Sequence, residues 1–351
     1  MSFENGLIDM RSDTVTHPTP AMRAAMASAE VGDDVYGDDP TINRLQELAA
    51  EQIGMQAGLF VPSGTMGNLV ALLTHCERGT EAIVGNCSHI YLDEAGGMAA
   101  LGGIMAGVVR NQPDGSLRLE DIEAAIRADD VHCPRTRLVC LENTQNVCGG
   151  LVLSREYMRQ AVELAHRHGL ALHLDGARLF NAAVAQHTSA RELIEGVDSV
   201  MFCLSKGLCA PVGSMLCGSK PFIAEALRQR KQVGGGMRQA GVLAAAGIVA
   251  LETMVDRLVE DHARARTLAS RLQALPGIIL DPGTPYTNMV FVSLAEDVPL
   301  DGHAFAARLV DQGVKVGVVG ARRFRLVTHC WIDDAAVEQA WRAFDAVLRG
   351  A

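Results

Sequence analysis

Three short segments hold residue types that could do chemistry together. In Met201-Phe202-Cys203-Leu204-Ser205-Lys206-Gly207 a lysine follows directly on a strongly apolar run. Most lysines are solvated surface groups. One placed at the carboxyl end of a central strand is awkward to bury as a cation, and partial burial lowers its pKa and frees the amine as a nucleophile. In Leu172-His173-Leu174-Asp175-Gly176-Ala177-Arg178 alternation puts Asp175 at the exit of a buried strand, where a carboxylate is costly without a partner. That acid reads either as an N-cap for the next helix or as the partner of a cofactor's ring nitrogen. Ser63-Gly64-Thr65 lies between the strand-like Phe60-Val61 and helical residues from Asn68 to Leu73. Free backbone N–H groups, two hydroxyls and a glycine for close approach make a phosphate site there. Taken alone, the triplet is a plain helix cap, and it is neither a Walker loop nor a GxGxxG fingerprint. Phosphate donors, an acid for a pyridine nitrogen and a lysine nucleophile, in that chain order and each at a strand exit, point to a pyridoxal-phosphate site.

Such groups need a scaffold that gathers strand exits. Apolar runs of strand length fall at 82–85, 104–109, 137–141, 170–174, 199–204 and 214–217. Helical patterns alternate with them, as at 155–168, where Met158, Val162 and Ala165 share a face. This is the signature of α/β architecture with a mostly parallel sheet, right-handed crossovers and ligands at the carboxyl ends of strands. From Gly241 an unbroken helical pattern runs to about Ala274, ended by Leu-Pro-Gly at 275–277. Strand-like runs at 278–280, 289–294, 314–319 and 325–328, with helices at 302–312 and from Asp334, read as a small α+β domain. The expected division is 1–252, a cofactor-binding large domain to which the N-terminal segment contributes, and 253–351, the small C-terminal domain.

The chain has 351 residues and a formal net charge of −10, and its basic residues do not cluster beyond the short RQRK at 228–231. Nucleic-acid and acidic-membrane partners need the opposite balance. Nine scattered cysteines without a CxxC pair read as reduced thiols. The acidic N-terminus does not resemble a signal peptide, and polar residues interrupt the uncharged stretch at 53–76. A cytoplasmic protein without a membrane span is expected.

The segments IDMRSDTVT, VGDDVYGDDPTINRLQ, FVPSGTMGN, SHIYLDEAGG, LHLDGARLFNA, CLSKGLCAPVGS, VGGGMRQAG and FRLVTH occur in that order across almost the whole chain. In these the sequence resembles the L-threonine aldolases of the low-specificity and L-allo type, which are fold-type I pyridoxal-phosphate enzymes with an aspartate-aminotransferase-like large domain. The resemblance implies that Lys206 carries the cofactor as a Schiff base, Asp175 keeps the pyridine nitrogen protonated and His89 stacks on the ring. It gives Ser63, Gly64 and Thr65 to the phosphate, with Lys231 and Arg238 acting there from a neighbouring subunit. Ser12, Arg178 and Arg325 would bind the substrate carboxylate, Arg178 lying also beside the cofactor, and His132 would contact the substrate hydroxyl. A homotetramer built as a dimer of dimers follows from the same resemblance. No ligand cluster identifies a structural cation.

The implied reaction is reversible cleavage of L-threonine or L-allo-threonine to glycine and acetaldehyde, with other β-hydroxy-α-amino acids accepted. The base that removes the hydroxyl proton is His89, His132 or a held water; residue types alone do not choose. A transaminase or racemase would keep the cofactor and break a different bond, and a cofactor-lacking binding homologue would have no need of Lys206 and Asp175. Two positions depart from the family pattern. Gln145 replaces the histidine of ENTHN; it keeps a donor and an acceptor but cannot titrate, which puts any proton-transfer role at that position in doubt. Cys209 stands where a glycine is common, and its Cβ either narrows the loop after Lys206 or requires an unstrained backbone.

Overall fold

The computed structural model describes residues 6–350. The chain divides into two compact units, Pro18–Val255 and a second that joins the stretch up to His17 to Asp256 and beyond. Strand β1 (Ile8–Asp9) belongs to the second unit. The first holds β2 (Ala57–Val61), β3 (Glu81–Gly85), β4 (Met105–Val109), β5 (Thr136–Glu142), β6 (Ala171–Asp175), β7 (Ser199–Cys203) and β8 (Ser214–Gly218). They pair in the order β2-β8-β7-β6-β5-β3-β4. Only β8 runs against its neighbours, and the other pairings are parallel. The exits of β2, β3, β5, β6 and β7 therefore all open on one edge.

Every residue of β3, β7 and β8 is buried. Successive side chains point to opposite faces, so burial throughout means that both faces are covered, and this is why these runs show no polar alternation. The helix Arg155–Arg167 buries Met158, Ala161, Val162, Leu164 and Ala165, and Ser154 caps it by accepting from Tyr157 N at 3.1 Å.

The long helical pattern from Gly241 is not continuous. It forms two helices, Gly241–Thr253 and Leu258–Gln273. The Thr253 hydroxyl, at the end of the first, bonds back to Val249 O at 2.7 Å. Arg257 then starts the next helix by pairing with Asp261 at 2.6 Å. The two compact units meet in sequence at this break, between Val255 and Asp256.

The second unit contains β9 (Ile278–Leu280), β10 (Met289–Leu294), β11 (Val314–Lys315), β12 (Gly317–Val318) and β13 (Arg323–Val327). An antiparallel sheet has the order β12-β13-β10-β9, while β1 pairs in parallel with β11. This pairing takes the N-terminal stretch out of the large unit, to which the sequence reading assigned it. The run at 314–319 is two strands with different partners. Phe305, Phe324 and Phe344 pack ring to ring at 5.4–6.4 Å in the core of this unit.

Candidate active site

Asp175 ends β6 and is 1% exposed. Its Oδ2 accepts from Asn68 Nδ2 at 2.8 Å and its Oδ1 from Ala177 N at 3.0 Å. Lys206 lies three residues past β7, half-buried, in a turn closed by Cys209 N donating to Lys206 O at 2.9 Å. Cys209 is fully buried with φ +65°, so the unstrained alternative for this departure does not hold; the backbone takes the left-handed conformation that glycine prefers.

Beyond β3, His89 begins the short helix His89–Leu92. Its Nδ1 lies 2.9 Å from Glu94 Oε1, and its backbone N–H donates to Glu142 Oε2 at 2.8 Å. Glu142 is the last residue of β5. Asn68 Nδ2 also donates to Glu94 Oε1 at 2.8 Å, so one amide joins Asp175 to the partner of His89. Ligating atoms of His89, Glu94 and Asp175 lie within 4.8 Å of one another.

The hydrogen bond to Glu94 raises the pKa of His89, burial opposes it, the Asp175 charge adds, and the Lys206 ammonium lowers it. Lys206 thus lies within the electrostatic reach of His89. Burial raises the Glu94 carboxyl and pushes Glu142 up to about 7, with the Asp175 charge contributing to both. Three nearly buried carboxyl groups around one edge disfavour one another's ionisation. A protonated ring nitrogen beside Asp175 would offset this repulsion.

Ser63 caps the helix Gly64–His75 by accepting from Met66 N at 3.1 Å. A Cβ on Gly64 would meet Cys203 Sγ at 3.1 Å, and one on Gly67 would meet Met201 Cγ at 2.6 Å. Glycine at these two places lets the helix start pack directly on the end of β7, beside the turn that carries Lys206. Ser63 and Thr65 are exposed at that start. Lys231 sits in the last turn of Lys220–Gln232, and a Cβ on Gly236 would meet its Cδ at 3.0 Å. Arg238 is exposed and pairs with Asp33 at 3.1 Å. Arg178, nearly buried, stands three residues past Asp175. These residues fit pyridoxal phosphate: a cradle at a helix start, a lysine, and a buried acid already bonded on both oxygens.

In the second unit Ser12 Oγ accepts from Thr14 N at 3.2 Å, and Arg325 Nη2, from β13, reaches Arg11 O at 3.2 Å. The fold thereby makes Ser12 and Arg325 neighbours. His132 is placed differently from the expectation. It is exposed on the loop that enters β5, with Nδ1 2.7 Å from Asp130. Because β5 and β6 are parallel, that loop lies at the sheet edge opposite Asp175, roughly 20 Å away along the strand. Gln145 is fully buried; it donates to Cys87 O at 2.7 Å and accepts from Cys148 N at 2.8 Å, a clamp between two loops.

Sequence reasoning did not single out Asn68, Glu94, Glu142 or His173. Asn68 and His173 are polar residues inside apolar or small-residue stretches, and for them that mismatch was the available signal; Glu94 and Glu142 stand beside other polar residues and carry no such mark.

The fold is that of the fold-type I pyridoxal-phosphate enzymes, and the residues on its carboxyl edge suit that class. The Beta-eliminating lyase family matches residues 9–297, and the chain belongs to that family, on its threonine aldolase branch. The low specificity L-threonine aldolase of Escherichia coli K12 is 48% identical over 341 residues, covering 96% of this chain and 99% of the relative. Low-specificity L-threonine aldolase 1 of Arabidopsis thaliana is 46% identical over 344 residues, covering 97% and 96%. A solved structure of Leishmania major threonine aldolase superposes with a TM-score of 0.80 at 22% identity, covering 97% of this chain and 99% of that one, a likeness of fold.

Proposed function

We propose that this protein uses pyridoxal phosphate to cleave L-threonine or L-allo-threonine reversibly between Cα and Cβ, giving glycine and acetaldehyde, and that it accepts other β-hydroxy-α-amino acids. The observation that carries the reading is Asp175, a buried carboxylate bonded on both oxygens at the same sheet edge as Lys206 and His89. When bound there, the cofactor supplies an electron sink for charge left on Cα.

The chain's own residues do the rest. Lys206 Nζ is the amine that anchors the cofactor. Asp175 holds a proton on its ring nitrogen. The helix start at Ser63, Gly64 and Thr65 holds the phosphate, and Lys231 and Arg238 serve the phosphate of a second copy. The Arg178 guanidinium binds the substrate carboxylate with two parallel hydrogen bonds, and the resemblance gives Ser12 and Arg325 the same ligand. His89, tied to Glu94 through Nδ1, is left with Nε2 to take the β-hydroxyl proton.

Aldehyde release should be measured from all four threonine stereoisomers, with Lys206→Ala alongside. Release from an L-isomer that the substitution abolishes is the expected result. Keto acid or inverted amino acid in place of aldehyde would instead identify a transaminase or a racemase. A dimer of dimers is part of the same proposal, and a competent monomer on a calibrated sizing column would sink it. The cell compartment proposed is the cytoplasm, in keeping with nine free thiols; among the described residues no helix is long and apolar enough to cross a membrane.

A further inference from the structure

Behind Asp175 runs a chain of polar groups that the proposed reaction does not use. Asn68, His173 and Ser199 are each 0% exposed. Asn68 Nδ2 lies 2.8 Å from both Asp175 Oδ2 and Glu94 Oε1, and its Oδ1 lies 3.1 Å from His173 Nε2. His173 Nδ1 is 2.9 Å from Ser199 Oγ, which in turn is 2.7 Å from His75 Nε2. His75 stacks on Phe222 with ring centroids 4.6 Å apart.

The hydrogens on this path have one consistent direction. An amide oxygen cannot donate, so if Oδ1 faces His173, Nε2 of that ring must carry the hydrogen. Burial pushes His173 down to about 3 and His75 down to about 4, so both rings are neutral. His173 Nδ1 is then bare and accepts from the Ser199 hydroxyl. With its one hydrogen spent, Ser199 accepts from His75 Nε2–H. Reversing the amide would set Asn68 Oδ1 against two carboxylates in a site closed to water, which is the costly alternative.

We infer that His75, Ser199 and His173 form a one-way hydrogen-bond relay that locks the Asn68 amide toward Asp175 and Glu94, making Asn68 and His173 positioning residues for the ring-nitrogen acid. The inference rests on the cofactor reading above. It also explains why a histidine can sit fully buried two residues before Asp175: it sets which end of an amide faces the acid.

The first test needs no variant. The 15N spectrum of histidine-labelled, cofactor-free protein should show His173 with a bare Nδ1 and a protonated Nε2; the opposite tautomer overturns the relay. The second adds pyridoxal phosphate to the parent, His173→Gln and His173→Met. Glutamine keeps a donor and an acceptor, and its cofactor affinity and the pH midpoint of its bound-cofactor absorbance should match the parent. Methionine fills similar space without either, and should bind roughly tenfold more weakly with a displaced midpoint. A methionine variant with parental affinity and midpoint would overturn the inference. If the parent shows no Lys206-dependent absorbance, the cofactor reading falls, while the tautomer still judges the relay.

Discussion

At His89 the nitrogen facing Glu94 is committed, and this fixes which atom can do proton work. A base must be neutral to act, so if His89 is the base, as proposed, activity rises with pH as it loses its proton. The bond to Glu94 raises that pKa above 6.5, the ordinary histidine value. Glu94→Gln removes the main cause of the rise. Its acid limb in a plot of log kcat against pH should move to lower pH, while kcat on the plateau changes by less than about 10-fold, because the glutamine oxygen still accepts from Nδ1 and orients the ring. An acid limb that stays in place would assign it to another group. Lys206 and Asp175 were legible in the sequence because a charge after an apolar run is conspicuous. Asn68 was not, because its partner Asp175 lies 107 residues away in sequence, and Glu94 reads as one more polar residue of a loop until the fold brings Asn68 to it.

Elements follow the same division between local and distant causes. Strands covered on both faces announce themselves as apolar runs, and every candidate strand of the large sheet is present within a residue or two. The break at 254–257 was hidden because no glycine or proline marks it. The distance of His132 from Asp175 of the same subunit was not legible because a motif match carries no sense of strand direction, and the parallel pairing of β5 and β6 sets that distance. Asp39 shows how one residue can serve two elements. It caps the helix Pro40–Ile53 through Thr41 N and Ile42 N, and its other oxygen accepts from Gly241 N at 2.8 Å. Asp39→Ala loses the cap and leaves a buried N–H unpaired, so urea unfolding should show a loss of roughly 2–4 kcal/mol. A loss below about 1 kcal/mol would mean that water takes over both roles.

For the whole molecule, buried histidines make stability depend on pH. His75 and His173 stay neutral in the fold but take up protons near pH 6.5 when unfolded. Their contribution is complete above that pH and is lost as pH falls toward 4. Glu142, raised to about 7, acts in the opposite sense, since the fold holds its proton more tightly than the unfolded chain. His75→Gln removes one titrating ring. Between about pH 4.5 and 6.5 its unfolding free energy should fall less steeply on acidification, by up to ~1.4 kcal/mol per pH unit. Parallel curves would show that His75 is protonated in the fold. The pairing of β1 with β11 bears on how such a chain is made. Ile8 leaves the ribosome early, yet its partner Val314 is not synthesised until some 15–60 s later. In that interval Pro18–Val255 can complete its sheet, while the first strand waits as an unpaired edge, a natural foothold for a chaperone.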